Sequence, residues 1–230
     1  MTGAEPPPTV EADPPPDVTV ESPSMDAVDA VTGLWVDLAA DQRRHGSHIL
    51  PDANRATVRE SVGHRIATDG LVVARARGEG SQRERSQREG TTGEGGESAD
   101  GTATASDTGD RLVGFATFGP ETAPLATGAD RGVVEDVYVV PDRRGEGIGA
   151  ALVGAAERSL FADGVDAVRL EAMAANEEAR RFYERLGYRP HRVELEKRRY
   201  AAEGGEPGGD SDSAKRRPGS AESDTHSRED

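Results

Sequence analysis

The sequence predicts a single domain of mixed α/β class, with helices layered on a β-sheet. Three observations carry that expectation. The chain has 230 residues of which only 34% are apolar, and three stretches hold almost no large apolar side chain, so the core-formers concentrate in the remaining part, about 150 residues. There, short runs rich in Val, Leu and Phe alternate with segments whose apolar residues recur every three or four positions. Their order, β-α-α-β-β-β-α-β-α-β, is that of an α/β layer fold, and no internal repeat is visible.

Val18-Thr19-Val20 reads as a short first strand. A helix follows from about Met25, because Val28, Val31, Leu34, Trp35 and Leu38 fall on one face, and the polar run Asp41–Gly46 ends it. A second, more polar helix is expected over 52–67, with Val58, Val62 and Ile66 at i, i+4 and i+8. Gly70–Arg75 and Arg111–Phe118 read as a hairpin whose turn has been expanded, a change of small cost because closure entropy grows only logarithmically with loop length. Gly132–Val140 is the next strand. From Ile148 a helix sets Ile148, Leu152, Ala156 and Leu160 on one face. Ala167–Glu171 is another strand. Asn176 caps a final helix, Glu177 and Glu178 favour the positive end of its dipole, and Gly187 stops it. Val193 and Leu195 alternate with Glu194 and Glu196, which predicts a closing strand.

The apolar-poor stretches are 1–16, 78–110 and 201–230. None can bury enough surface to offset roughly 1–2 kcal/mol per residue of backbone entropy, so a disordered N-terminal tail, a loop insert and an acidic C-terminal tail are expected around a domain over 17–200. Net charge is −15, with 26 arginines and only Lys197 and Lys215 as lysines. That balance is expected of a cytoplasmic protein from a salt-loving organism; acidic tails alone would be the rival explanation. It argues against a nucleic-acid partner, because no basic stripe exists to neutralise phosphates. The absence of cysteine excludes disulfides, thiolate metal sites and a Cys nucleophile. No apolar run reaches the roughly 18 residues a membrane span needs, and the N-terminus carries no signal pattern, so a soluble protein is expected. His45 and His48 lack a third ligand at recognisable spacing, and no metal is expected.

Gly145-Glu-Gly-Ile-Gly-Ala150 satisfies the G-x-G-x-x-G/A dinucleotide fingerprint. A dinucleotide fold, however, enters its glycines straight from an apolar buried strand, whereas here Glu135 and Asp136 lie in the strand and Pro141–Arg144 intervene. No Gly-Lys-Ser/Thr follows, which excludes a P-loop. What remains is the chemistry shared by phosphate cradles: approachable backbone N–H groups at a helix N-terminus, with an arginine beside them.

The run Val139–Gly149, with Arg144, Gly147 and Gly149 as R-x-x-G-x-G, resembles the acyl-coenzyme A pyrophosphate loop of the GNAT N-acetyltransferases. Asn176-Glu-Glu-Ala-Arg-Arg-Phe-Tyr-Glu-Arg-Leu-Gly-Tyr188 resembles that superfamily's N-x-x-A-x-x-F-Y-x-x-x-G-[FY] signature. The motifs stand in the family's order, about 30 residues apart with a strand between, and the resemblance extends over roughly 18–200. The departure is the insert at 78–110, where the family has a short turn.

The resemblance implies a mixed sheet with splayed strands, acetyl-CoA as donor and an amine acceptor: a small molecule, a peptide N-terminus or a lysine. It implies a diphosphate site over Arg144, Gly145, Glu146, Gly147, Ile148 and Gly149, with Val137, Tyr138 and Val139 offering backbone groups to the pantetheine arm and Asn176 bonding the coenzyme. A glutamate at the place of Glu135 serves as general base in the diamine and polyamine branch; its rival reading is an ordinary exposed strand carboxylate. Asp136, taken to point to the opposite face, is its control. Tyr183 is the candidate general acid toward the thiolate, although a tyrosine in the apolar stripe Ala179, Phe182, Tyr183, Leu186 would also suit a core. A homodimer stays open. Two other classes compete: a catalytically silent acyl-CoA-binding module, which would be free to lose Glu135 and Tyr183, and a dinucleotide oxidoreductase.

Overall fold

A computed structural model describes residues 12–78, 110–122 and 128–197. The expectations for 1–11, 79–109 and 201–230 lie outside the described residues.

Up to Arg189 the chain forms β1 (Val18–Glu21), α1 (Val28–Arg43), α2 (Pro51–Ala67), β2 (Leu71–Ala76), β3 (Arg111–Pro120), β4 (Arg131–Val139), α3 (Ile148–Ala162), β5 (Ala167–Leu170) and α4 (Glu177–Arg185). The strands make one sheet in the order β1-β2-β3-β4-β5. Neighbours run antiparallel except β4 and β5, which are parallel. The crossover between them is α3, as a parallel connection requires. The expanded hairpin is present as the β2–β3 pair, joined from Leu71–Thr117 to Ala76–Arg111 with a shift of register between Ala74 and Arg75.

Burial follows the patterns that formed the elements. Leu71–Ala74 and Val113–Gly119 are buried in unbroken runs, because both faces of the sheet centre are covered. Ile148, Leu152, Ala156 and Leu160 of α3 all enter the core, together with Val28, Val31 and Leu38 of α1 and Val62 of α2. Pro51 suits the first turn of α2, where its missing N–H has no partner to lose. Among the described residues no helix is long and apolar enough to cross a membrane.

Residues 190–197 form a separate unit, and the closing strand expected at Val193–Leu195 is not formed there. Both side chains are exposed, at 79% and 89%. Alternation alone makes no strand; a strand needs a partner row of backbone groups, and within 190–197 no such row exists.

Candidate active site

The site begins where β4 outruns β5. Their pairing ends at Val134–Leu170, whereas β4 continues to Val139 on its β3 side. Among the described residues the edge over Glu135–Val139 that faces away from β3 therefore has no strand beside it, and this places the Val137, Tyr138 and Val139 backbone at an opening in the sheet. Tyr138 is buried and packs its ring near Phe115. Burial pushes its phenol up, with Asp37 adding to the effect and Arg144 opposing it.

After β4 a 3-10 turn at Pro141–Arg143 leads into the glycines. Gly145 and Gly147 hold φ of +82° and +87°, the left-handed region that disfavours a Cβ. A Cβ on Gly145 would meet nothing within 4 Å, so backbone conformation and not crowding explains that residue. Gly147 is the N-cap of α3 and supplies no side-chain capping bond, which leaves the first N–H groups of that helix available to an anion. Gly149 answers a different need: a Cβ there would lie 3.3 Å from the Phe182 ring, so α3 and α4 meet over it. Ile148 is 1% exposed and anchors the turn in the core, offering only its backbone outward.

The arginines beside this loop are both engaged. Arg144 donates to the Val139 carbonyl (3.0 Å) and to Asp41 of α1 (3.1 Å), and its guanidinium lies 5.6 Å from the centre of the Tyr138 ring. Arg143 bridges Glu146 (2.8 Å) and Asp17 (2.9 Å), so the Glu146 side chain braces the loop through its partner. The uncapped helix end, the two left-handed glycines and Arg144 fit a diphosphate.

Glu135 and Asp136 occupy an irregularity in β4. Thr117 pairs with Asp136 but Phe118 pairs with Val134, so Glu135 is the extra residue of a β-bulge. The bulge breaks the two-residue alternation and corrects the expectation that the two carboxylates face opposite sides. Arg65 of α2 ion-pairs with Glu135, and the same cation bears on Asp136. Arg65 also donates to the Phe118 carbonyl at 3.0 Å, crossing a strand that Gly119 keeps free of a side chain. Thr117 donates to Asp136 Oδ2 (3.0 Å) and accepts from the Asp136 N–H (3.1 Å), while the Trp35 indole of α1 favours the ionised carboxylate. Burial raises the Asp136 pKa, with Glu135 adding; the bonds from Thr117 and Trp35 and the charge of Arg65 pull the other way.

Helix α4 closes the arrangement. Asn176 accepts from the Ala179 N–H at 3.0 Å, a direct cap. Tyr183 is half-buried between Phe182 and Tyr188, with ring centres 5.0 and 5.9 Å away, and is not part of the fully buried core. Burial first, then the charge of Asp136, pushes its phenol up to about 12. The charge of Asp136 on β4 thus reaches the Tyr183 phenol. Arg65, Thr117, Trp35 and Asp41 were missed from the sequence. Thr117, a polar residue inside an apolar strand, was the one signal available.

The model of the acetyltransferase (GNAT) family matches residues 72–188, which includes the glycine loop, β5 and α4. The chain is a member of the GNAT acetyltransferase family. Solved structures share the fold of this acetyltransferase. A GCN5-related N-acetyltransferase from Ralstonia eutropha JMP134 has 19% identity and a TM-score of 0.53, over 79% of this chain and 97% of its own. A mutant protein from Bacillus halodurans has 18% identity and a TM-score of 0.52, over 78% and 99%. An aminoglycoside N-acetyltransferase in complex with CoA has 16% identity and a TM-score of 0.50, over 79% and 95%. No curated protein matches the chain. GNAT enzymes use acetyl-CoA and act on amine acceptors. Among the described residues of this one, no group of three His, Cys, Asp or Glu could hold a metal ion.

Proposed function

We propose that this acetyltransferase moves an acetyl group from acetyl-CoA to a primary amine by direct attack, with Glu135 as general base through water and Tyr183 as general acid. The observation that carries the reading is the open edge of β4: one short stretch of strand sets the free backbone, the carboxylates and the reach of Tyr183 beside the glycine loop. Arg144–Gly149 would hold the diphosphate, with Asn176 beside them, and Val137–Val139 the pantetheine arm. A backbone N–H aimed at the developing oxyanion would contribute a few kcal/mol to the transition state.

An ammonium of pKa near 10.4 must lose a proton before it can attack, and a carboxylate at the site supplies the sink. Carboxylates at Glu135, Asp136 and Asp37 support a cationic acceptor of the diamine or polyamine kind over an anionic one. The charge of −15 and the scarcity of lysine support a cytoplasmic setting in a salt-loving organism.

The test is release of free thiol from acetyl-CoA in high salt against polyamines, amino acids, aminoglycosides and short peptides, with Glu135→Gln in parallel. Turnover with one acceptor class that falls about 10²–10⁴-fold in the variant is the expected result. Coenzyme A binding without release from any amine would replace this reading with a silent binding module.

A further inference from the structure

We propose that Asp136 is a second catalytic carboxylate, taking a proton from the acceptor nitrogen and returning it to Tyr183. This rests on the acetyltransferase reading above and adds a residue to it. The two neighbours are placed for different tasks. Glu135, thrown outward by the bulge, meets Arg65 and keeps its side chain 39% exposed. Asp136 is fixed deeper by the reciprocal pair of bonds to Thr117. No residue among those described forms an ion pair with it. A carboxylate held in a partly desolvated place without its own cation costs folding stability, an arrangement that serves chemistry better than it serves the fold.

The second observation is Tyr183. Of the two carboxylates in the bulge, Asp136 is the one whose charge bears on the Tyr183 phenol. The charges that bear on Asp136 are those of Glu135 from its own strand and Arg65 from α2, and its own charge bears on Tyr183 of α4; β3 and α1 contribute the neutral Thr117 and Trp35.

Protons balance on this assignment. The acceptor enters as an ammonium and loses two N–H protons on becoming an amide. One goes to Asp136, and the nitrogen lone pair forms the C–N bond at the thioester carbon. As the C–S bond breaks, its electron pair stays on sulfur and takes the Tyr183 proton. The proton on Asp136 then restores the phenol, and the other nitrogen proton leaves to solvent by way of Glu135. The sum is one amide, one thiol and one released proton.

Asp136→Asn and Thr117→Val test this in the full chain, using the amine that gives the most thiol release. Asp136→Asn should lower kcat by about 10²–10⁴-fold with KM for acetyl-CoA unchanged. Thr117→Val should move the acid limb of the kcat/KM profile to higher pH, because it removes a bond that favours the ionised carboxyl. Melting supplies a readout that a structural role would reverse. Burial raises Asp136 above its unfolded value, so the ionised group costs stability at pH 7 and the cost fades as pH falls through the ordinary aspartate range. Asp136→Asn should therefore melt higher than wild type at pH 7, with no advantage near pH 3. An Asp136→Asn enzyme within about threefold of wild type, or one that melts lower at pH 7, overturns the assignment. If that variant does not fold, an unmoved acid limb in Thr117→Val overturns it instead. Wild-type enzyme inactive on every amine would defeat the acetyltransferase reading itself; activity lost in Glu135→Gln but kept in Asp136→Asn would defeat only the second carboxylate.

Discussion

Tyr183 is kept protonated by two effects of the same sign, burial and the charge of Asp136, which together push its phenol to about 12. It remains a donor throughout neutral and mildly alkaline pH. Tyr183→Phe should lower turnover by about 10²–10⁴-fold with acetyl-CoA affinity nearly unchanged, as single-turnover kinetics and a binding isotherm would show; unchanged turnover would return Tyr183 to a packing role. The shift also fixes a stability sign. A raised phenol contributes stability that is complete below the unfolded value near 10 and is lost as pH rises toward 12, so thermal melts should fall more steeply over that window in wild type than in Tyr183→Phe. Tyr183 and Asn176 were legible because each has a fixed place in a motif local to one helix. Arg65 was not, since it lies 70 positions from Glu135 and meets it only through the packing of α2 on the sheet. Nothing local to Arg65 announces such a partner.

Elements explain which errors arose. Helical periodicity is set by the chain's own geometry, so α1, α2 and α3 could be read from where their apolar residues fall. Strand facing is less secure: it presumes an unbroken two-residue alternation, and the bulge at Glu135 broke it, so Asp136 no longer serves as an opposite-face control. The packing of α4 on α3 gives two predictions. The Tyr188 hydroxyl donates to Glu157 at 2.7 Å, and Glu157 is only 6% exposed. Tyr188→Phe leaves that carboxyl buried without this partner, which should cost about 1–3 kcal/mol in denaturant unfolding. Gly147→Ala forces a side chain onto a φ of +87° at the cap of α3, at about 1–2 kcal/mol, and should weaken acetyl-CoA binding as the helix end is displaced. Retained affinity in that variant would separate the diphosphate site from this turn.

At the scale of the molecule, the core among the described residues is built from segments on either side of the long insert. β2 ends at Ala76 and β3 begins at Arg111, and the two strands are already paired up to Ala76–Arg111. The stretch 78–110 carries no Val, Ile, Leu, Met or aromatic residue, so it has little apolar surface to contribute to the buried cluster around Phe115, Leu71 and Leu152. Joining Ala76 to Arg111 through a two-residue Asn-Gly turn would leave every one of those contacts in place, and it would shorten a closure whose entropy scales only with the logarithm of its length. The shortened chain should melt no lower than wild type and up to about 10 °C higher, because a roughly seventeenfold shorter loop changes closure by about 2.5 kcal/mol in the stabilising direction. Acetyl-CoA binding should also persist, since Arg111, which pairs with Asp142 in the turn before the glycine loop, is kept in the shortened chain. A collapse in melting temperature would show that the insert holds structure the core depends on; an intact fold with lost turnover would instead place part of the acceptor site within the insert.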